Sequence, residues 1–314
     1  MVVVFFGTPQ FAAPTLRQLL DSSHIVAGVV TQPDRPRGRG QKVTFAPIKA
    51  LALEHALPVF QPDRLKPPEV AEKLRAWTPD IGVVAAYGRI IPEHLLTIPR
   101  LGMINVHASL LPKYRGAAPV HRAVMNGDAE TGVTIMRVVK ELDAGPMFAK
   151  AMRPIGPDDT SDVVEAALAE LGAGLLIDVL GDIDAANARE EPQDDSQATY
   201  APRLTKEEGL IDWTQSARQI HNRIRGLYPW PHGYTFLNGA RLILLRSAVR
   251  SGHEEPAGRN PGTVLDVTSE AIYVATGEGK IAILELQPEG RRAMRVHDFV
   301  LGHSIAPGDA FTHA

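Results

Sequence analysis

The sequence predicts an α/β protein in which a Rossmann-like open sheet is followed by a small β-barrel. In the first half of the chain, nearly continuous apolar runs of strand length alternate with helical patterns, as in an open sheet covered on both faces. In the last third, several short strands follow one another, separated by turn residues. Such a series of short strands is typical of a small barrel.

The open sheet is predicted from buried strands and the helices between them. The strands are Val2 to Phe6, Ile25 to Val30, Ile81 to Ala85 and Gly102 to Val106. The helices are Phe11 to Leu20, Pro47 to Ala56, Pro67 to Ala76 and Pro119 to Asn126. A further strand is indicated at Met147 to Met152 and a helix at Ser161 to Leu180. These elements are expected to form one domain over residues 1–182.

A polar segment follows this domain. Residues 182–199 hold six acidic residues and one basic residue, with almost no large apolar side chain. Such a composition cannot contribute to a core. We therefore predict a linker over residues 183–204, followed by a second domain over residues 205–314.

The second domain is predicted to contain one helix and five short strands. The helix is Thr214 to Leu227, and the strands are Tyr234 to Leu237, Arg241 to Ala248, Gly262 to Val267, Ala271 to Ala275 and Lys280 to Leu286. Asn238-Gly239 is a strong hairpin signal between the first two strands. Five short strands favour a barrel that resembles the oligonucleotide-binding (OB) fold.

The composition excludes several kinds of site. The chain has no cysteine, which rules out disulfides, thiolate zinc sites and cysteine nucleophiles and fits a reducing compartment. Residues Met1 to Phe6 have no basic flank and only a strand's length, so they predict neither a signal peptide nor a membrane span. We expect a cytoplasmic protein with no membrane partner. A net charge of -3 argues against indiscriminate nucleic-acid binding.

The familiar cofactor and hydrolase motifs are missing. The first strand-to-helix turn reads FFGTPQFA and lacks GxGxxG, which disfavours a dinucleotide cofactor, and no Walker loop is present. The eleven histidines show neither HxH nor HExxH spacing, and GxSxG is absent. We expect no metal.

The segment INVHASLLPKYRG, residues 104–116, carries the first candidate site. Asn105 and His107 are two residues apart on a strand, so their side chains point to the same face at its carboxyl end. Open α/β sheets bind ligands at that edge. The spacing alone leaves two interpretations open, a ligand site or two polar groups that satisfy backbone atoms at a strand end.

Together with GAAPVHRAVMNGDAETGVTIMRVVKELDAGPMF, residues 116–148, this segment resembles the active-site core of the 10-formyltetrahydrofolate-dependent formyltransferases. The resemblance implies a catalytic set of Asn105, His107 and Asp143. Without it, the LDAG sequence around Asp143 would indicate an Asx turn. It also implies 10-formyltetrahydrofolate as the formyl-donor cosubstrate, with a folate-binding loop and a wall beside the pterin. The loop is Ser109, Leu110, Leu111 and Pro112, and the wall is Tyr87, Gly88, Ile90 and Ile91.

Five further segments resemble the members of this family that formylate methionyl initiator tRNA. They are FFGTPQFA (5–12), TQPDRPRGRGQK (31–42), FQPDRLK (60–66), YAPRLTKEEGLIDW (200–213) and YPWP (228–231). The partner that this implies is the charged initiator tRNA, and we expect the protein to be a monomer. The resemblance weakens after about residue 300.

Basic residues are concentrated between residues 31 and 49. Arg35, Arg37, Arg39 and Lys42 lie in a stretch rich in proline and glycine, and we predict that they contact the tRNA backbone. A solvated surface loop is the alternative. Residues 205–314 are balanced, with 12 basic and 12 acidic residues. Seven of these basic residues could still gather on one face: Lys206, Arg218, Arg223, Arg225, Arg291, Arg292 and Arg295.

Three other functions remain open at this point. A formyltransferase of the same fold could act on a small amine, such as glycinamide ribonucleotide or an amino sugar. A hydrolase could release formate from the same folate. A non-catalytic RNA-binding module could be built on the barrel, but it would leave Asn105, His107 and Asp143 without a role.

Overall fold

The structure, a computed structural model, describes residues 1–37, 42–249 and 260–313, with the backbone alone at 35–37 and 42–43. The chain forms two compact units. The first unit contains Met1–Pro119, Thr131–Arg153 and Glu165–Ala201. The second contains Val120–Glu130, Pro154–Val164 and Pro202–Ala314.

The helices and strands of the described residues alternate in the first half of the chain, and strands predominate in the last third. The helices are α1 Ala13–Leu20, α2 Pro47–Glu54, α3 Pro68–Ala76, α4 Glu93–Leu96, α5 Pro119–Asn126, α6 Ser161–Asp184, α7 Ala217–Gly226 and α8 Val296–Gly302. The strands are β1 Val2–Gly7, β2 Ile25–Val30, β3 Arg35–Arg37, β4 Lys42–Thr44, β5 Val59–Phe60, β6 Ile81–Ala85, β7 Met103–His107, β8 Arg115–Gly116, β9 Glu130–Arg137, β10 Met147–Pro154, β11 Tyr200–Ala201, β12 Gly233–Leu237, β13 Ala240–Val249, β14 Val264–Val267, β15 Ile272–Ala275, β16 Lys280–Pro288, β17 Met294–Arg295 and β18 Phe311–Thr312. No helix within the described ranges is both long and apolar enough to cross a membrane.

The first unit is built on a seven-stranded sheet with the order β10-β9-β7-β6-β1-β2-β5. The four strands predicted in the first 110 residues form its centre and pair in parallel, which confirms the Rossmann-like sheet. Most of their side chains are buried, and those of Val4, Phe5, Ile81 and Ile104 are completely buried, which explains the unbroken apolar runs. One strand, β9, was not predicted, and it runs antiparallel to β7.

The segment predicted to be a linker is hydrogen-bonded into the first unit. The backbones of Glu191 and Met147 exchange two hydrogen bonds of 2.8 Å, and β11 pairs in parallel with β8. The first unit therefore extends to Ala201, beyond the predicted boundary at residue 182. Backbone pairing needs no apolar side chains, so composition gives no sign of it.

The second unit is a curled antiparallel sheet with the order β14-β15-β16-β13-β12-β18. Its first and last strands meet, because Thr263 and Ala310 form an antiparallel bridge and the Val264 amide donates to the Asp309 carbonyl at 2.7 Å. The sheet thus closes at this end, which confirms the predicted barrel. Inside it, Trp213 stacks on Phe311 with ring centroids 5.4 Å apart.

Local signals fix the ends of two elements in the second unit. Helix α7 begins with a capping box, in which the Ser216 hydroxyl accepts from the Gln219 amide and the Gln219 side chain accepts from the Ser216 amide. Asn238 and Gly239 adopt φ angles of 52° and 76°. They connect β12 to β13, where Leu237 pairs with Ala240, so the predicted hairpin is confirmed.

Candidate active site

Asn105 and His107 lie near the carboxyl end of β7, at the edge of the sheet where ligands bind in this class of fold. The register with β6 is fixed on one side, with Val84 opposite Asn105, and with β9 on the other, with Thr134 opposite His107. Asn105 is half-buried, and its side chain makes no hydrogen bond to any residue that the structure describes. Its amide is therefore available to donate to a ligand.

His107 is held between a backbone carbonyl and a carboxylate. Its side chain is buried, and Nε2 lies 3.0 Å from the Tyr114 carbonyl oxygen. Because a carbonyl oxygen only accepts, Nε2 carries the proton in this contact. The other ring nitrogen, Nδ1, lies 3.6 Å from Oδ2 of Asp143. The structure thus brings together two of the residues that the sequence predicted to be catalytic.

Asp143 is fixed by its own backbone and by a neighbouring strand. Its φ of 48° lies in the left-handed region, which aspartate tolerates better than most residues. Its Oδ2 accepts a hydrogen bond of 2.8 Å from the Gly116 amide. Two residues later, a Cβ added at Gly145 would lie 1.9 Å from the Arg137 carbonyl oxygen, so only glycine fits there. LDAG thus forms a turn, but the Asp143 carboxylate accepts from the Gly116 amide rather than from an amide of the turn itself, as an Asx turn would require.

The loop from Ser109 to Pro112 is shaped by hydrogen bonds to its own backbone and to β9. The Ser109 hydroxyl donates to the Lys113 carbonyl at 2.6 Å. The Thr134 hydroxyl donates to the Ser109 carbonyl at 2.7 Å and accepts from the Leu111 amide at 3.1 Å. Leu111 is buried, and Leu110 packs so closely on Gly132 that a Cβ there would lie 2.5 Å away.

Thr134 was missed by the sequence reasoning. The available signal was a hydroxyl residue inside an apolar strand-like run, Val133 to Met136, where the buried hydroxyl requires a partner. Its partners are the backbone groups of the Ser109 to Pro112 loop.

The predicted pterin wall divides into buried and exposed parts. The Tyr87 ring is buried against Phe6, with centroids 5.5 Å apart, and burial raises the pKa of its hydroxyl. The Tyr87 side chain therefore belongs to the core, and its backbone carbonyl lies at the sheet edge, where it accepts from the Gln32 side chain at 2.8 Å. Gly88, with a φ of 78°, and Ile90 are exposed, whereas Ile91 is buried.

The predicted tRNA contacts lie on and around a short hairpin. Strands β3 and β4 pair antiparallel, with Arg37 opposite Lys42, and Arg39 lies outside the described residues. Just before the hairpin, the hydrogen bond from Lys49 lowers the pKa of Asp34. Lys49 is therefore already paired with a carboxylate.

Two of the seven basic residues that could gather on one face of the second domain make contacts within the second unit. Arg225 is buried and donates to the carbonyls of Gly156 and Asp159, at 3.2 and 2.9 Å. Arg223 donates to the Glu208 carbonyl at 3.0 Å from Nε and at 2.6 Å from Nη2. Arg225 therefore cannot belong to a basic face, since its guanidinium is buried. The sequence could not distinguish a structural arginine from an exposed one.

The site combines a free amide donor, an imidazole and a carboxylate at one sheet edge. Oδ2 of Asp143 is occupied by the Gly116 amide, and Oδ1 has no hydrogen bond to a described residue. Such a set can stabilise an oxyanion and accept a proton from an attacking amine. No group of three or more histidine, aspartate or glutamate side chains in the described ranges is arranged to hold a metal ion.

Residues 1–180 match the family model described as formyl transferase, and residues 203–304 match its C-terminal domain. The methionyl-tRNA formyltransferase of Geobacter sulfurreducens is 47% identical, over 98% of this chain and 95% of its own. That of Trichlorobacter lovleyi is 49% identical, over the same shares. The N-formyltransferase of Helicobacter canadensis, solved with folinic acid and dTDP-3-aminofucose, has a similar fold, with a TM-score of 0.66 at 18% identity, over 90% of this chain and 99% of that one.

Proposed function

The chain belongs to the formyl transferase family, and on that premise we propose that it transfers the formyl group of 10-formyltetrahydrofolate to the α-amino group of methionyl initiator tRNA. The product is N-formylmethionyl-tRNA, used to initiate translation. One observation carries the proposal: the His107–Asp143 pair, with Nδ1 3.6 Å from Oδ2, lies beside Asn105 in a chain that matches methionyl-tRNA formyltransferases along almost its full length.

In this reaction the methionyl amino group attacks the formyl carbon, and it must be neutral to do so. We assign the proton of the incoming ammonium to Asp143, because Oδ1 has no other hydrogen bond within the described ranges and a carboxylate within hydrogen-bond reach of the amine can act as a general base. The Gly116 amide holds the opposite oxygen and fixes the direction of the carboxylate. Attack forms a C–N bond and gives a tetrahedral oxyanion.

Asn105 is the proposed donor to this oxyanion. Its amide points to the same face of β7 as His107 and has no competing partner in the described chain. A preorganised amide donor of this kind typically contributes about 100-fold to 1000-fold in rate.

His107 is proposed to stabilise the oxyanion and relay protons as the intermediate collapses. After the attack, the new C–N nitrogen still carries one excess proton. Nδ1 of His107 takes this proton and passes it to N10 as the bond between the formyl carbon and N10 breaks, giving tetrahydrofolate. The Tyr114 carbonyl holds Nε2–H at 3.0 Å, which leaves Nδ1 directed towards Asp143 and the reacting groups. Within this pair, Asp143 is the proposed base and His107 the proposed relay.

The folate would lie against the carboxyl ends of β6 and β7. The loop Ser109 to Pro112 is proposed as one wall and the segment Tyr87 to Ile91 as the other. Ile90 supports this placement because its apolar side chain is 80% exposed, so that a flat apolar ligand can cover it and remove apolar surface from water. Tyr87 and Ile91 would support the wall from the core side.

Arg35, Arg37, Arg39 and Lys42 are the proposed contacts to the tRNA backbone. Replacing all four with alanine should weaken tRNA binding and reduce the slope of log affinity against log salt by about one unit for each phosphate that is no longer neutralised. If the segment also positions the acceptor end, kcat at saturating tRNA falls too. We expect both effects. If both the salt dependence of tRNA binding and kcat are unchanged, these residues do not contact the tRNA.

The acceptor decides between this function and its alternatives. Purified protein is incubated with 10-formyltetrahydrofolate and one of four acceptors: methionyl initiator tRNA, glycinamide ribonucleotide, an amino sugar nucleotide or water alone. Release of tetrahydrofolate is followed by absorbance. We expect rapid release with the charged tRNA alone. Rapid release with another acceptor, or with water, would contradict the assignment.

We also propose that the enzyme acts as a cytoplasmic monomer, because its folate and aminoacyl-tRNA substrates are cytoplasmic and the site is built within one unit of one chain. Light scattering on the purified protein should give a mass near 34.0 kDa. A mass near twice that value would contradict the monomer.

A further inference from the structure

We infer that Gln193, in the polar segment after α6, is a positioning residue that holds the Asp143 loop in its reactive geometry. The inference rests on the proposed function, since it assigns Gln193 a role in formyl transfer. Gln193 lies in the segment whose composition predicts a linker, and nothing in its sequence suggests a part in the site.

Gln193 uses both ends of its amide on residues around the site. Its Nε2 donates to the carbonyls of Asp143 and Gly145, each at 2.8 Å. Its Oε1 accepts from Arg115, at 3.1 Å from Nε and 2.8 Å from Nη2. One side chain therefore joins the loop that carries Asp143 to the strand β8 that holds the Asp143 carboxylate.

One of the two carbonyls that Gln193 binds belongs to Asp143, a strained residue, and the other lies two residues later. Asp143 has a φ of 48°, a region that L-residues adopt at a cost unless their surroundings determine it. Binding the carbonyls of residues 143 and 145 fixes the orientation of both peptide planes, and with them the direction of the Asp143 side chain.

The Oε1 atom of Gln193 binds Arg115, which lies between the two residues whose backbone groups contact His107 and Asp143. Arg115 precedes Gly116, whose amide donates to Oδ2 of Asp143, and follows Tyr114, whose carbonyl accepts from His107. The segment adds a second contact here, because the Tyr114 amide donates to the Thr199 hydroxyl at 2.9 Å. Gln193 thus binds Arg115, whose two neighbours in sequence carry the backbone groups that orient His107 and Asp143.

The chemistry of this position requires an amide. A glutamate at 193 would keep the contact with Arg115 but would place a carboxylate against two carbonyl oxygens, because it has no N–H to donate. Arg115 also binds Asp195 at 2.6 Å, so it keeps a partner when Gln193 is replaced. Replacing Gln193 therefore acts mainly on the Asp143 loop.

The test compares Gln193→Ala and Gln193→Glu with Gln197→Ala in the full-length protein. Gln197 is a matched control: it lies in the same segment, is exposed, and its side chain bonds Asp194 rather than the site. We expect both Gln193 variants to lower kcat by about 10-fold to 100-fold with little change in either KM, because small displacements of catalytic groups cost rate rather than binding. Gln197→Ala should match the wild type.

A double-mutant cycle with Asp143→Asn separates positioning from general stabilisation. If Gln193 acts through Asp143, adding a Gln193 substitution to Asp143→Asn lowers kcat by less than about 2-fold. An equal loss of rate in both backgrounds, or full activity of Gln193→Glu, overturns the role. If Gln193→Ala does not fold, Gln193→Glu, which has nearly the same shape, carries the cycle.

A second readout does not depend on catalysis. Hydrogen exchange at the Gly116 amide reports its bond to Asp143, and we expect Gln193→Glu to lose that protection while Gln197→Ala keeps it. Unchanged protection overturns the positioning role whether or not the protein formylates tRNA. Wild-type inactivity towards methionyl-tRNA overturns the proposed function alone and leaves the exchange measurement to decide the role of Gln193.

Discussion

At the scale of single residues, the site depends on groups held by backbone atoms. The Tyr114 carbonyl orients His107, and the Gly116 amide orients Asp143. Backbone groups move only with the chain that carries them, so these contacts preorganise the side chains before substrate arrives. Activity should therefore be sensitive to the side chains themselves.

We predict that His107→Ala, Asp143→Asn and Asn105→Ala each lower kcat by at least ~100-fold, because each group acts on charge or protons in the transition state. Folate affinity, measured by fluorescence quenching, should change little. Glu141→Gln is the matched control, since Glu141 is an exposed carboxylate two residues from Asp143. If folate binding is weakened and kcat is preserved, these residues bind the folate and do not take part in catalysis.

His221 gives the second unit a predictable pH dependence. It is 2% exposed, and burial lowers its pKa, although the hydrogen bond to the Pro157 carbonyl opposes that effect. Below pH ~6.5, the ordinary value for histidine, the unfolded chain binds a proton at this residue that the folded chain does not bind. Stability therefore falls with decreasing pH, by up to about 1.4 kcal/mol per pH unit, until the folded-state pKa is reached.

The measurement is the free energy of unfolding in urea at pH 7.5 and pH 5.5. We predict that His221→Gln loses less stability between these two values than the wild type does, because glutamine does not titrate. Equal losses in the two proteins would show that His221 is not the group responsible.

Residue-level prediction from sequence depends on a signal in a side chain's own spacing or motif. The spacing of Asn105 and His107 on one strand face makes them candidates but leaves a structural role open, and LDAG alone indicates a turn at Asp143, so the predicted catalytic role of all three rests on the family resemblance. Thr134 and Gln193 could not be found in this way. Their importance comes from the backbone groups they bind, which lie far from them in sequence.

At the scale of elements, helix α6 provides a sharp test of packing. A Cβ added at Gly172 would lie 2.7 Å from Cγ1 of Val106 and 3.0 Å from Cγ1 of Val133, on strands β7 and β9. Both neighbours are buried valines, whose branched side chains cannot rotate away. A Cβ added at Gly174, in the same helix, meets no atom within 4 Å.

We predict opposite effects from the same substitution at these two positions. Gly174→Ala should stabilise the protein by about 0.5–1 kcal/mol through helix propensity. Gly172→Ala should destabilise it by about 1–3 kcal/mol through overpacking, and it displaces the strand that carries Asn105 and His107. Thermal unfolding and kcat of both variants check this. Equal stability of the two variants would contradict the close packing of α6.

Helices and strands whose own residues show an apolar or turn pattern could be predicted from sequence. Strands that exist only because their backbone pairs with a distant segment could not. The four central strands and the hairpin at Asn238-Gly239 follow from apolar runs and turn residues. The two-residue strands β8 and β11 are too short to show a pattern. The segment after α6 was predicted to be a linker because it lacks apolar side chains, yet it is held by backbone pairs and by polar contacts such as Gln193.

At the scale of the whole molecule, each of the two units is built from segments that are not consecutive in the chain. Residues 120–130 and 154–164 belong to the second unit, where the Ser161 hydroxyl donates to the Gly226 carbonyl at 2.8 Å and Arg225 binds Gly156 and Asp159. A prediction from composition can only divide a chain into consecutive segments, and cannot assign two distant segments to the same unit. Contacts of residues more than 60 positions apart therefore escape it, and the division into functional domains stays a prediction.

The most direct test of the central claim follows the formyl group itself. 10-Formyltetrahydrofolate labelled in the formyl carbon is incubated with the protein and either methionyl initiator tRNA or the same tRNA without its amino acid. We predict that the label enters N-formylmethionine, recovered after mild alkaline release from the charged tRNA, and that the uncharged tRNA takes up none. Label recovered as free formate, or transferred equally with the uncharged tRNA, would contradict the account.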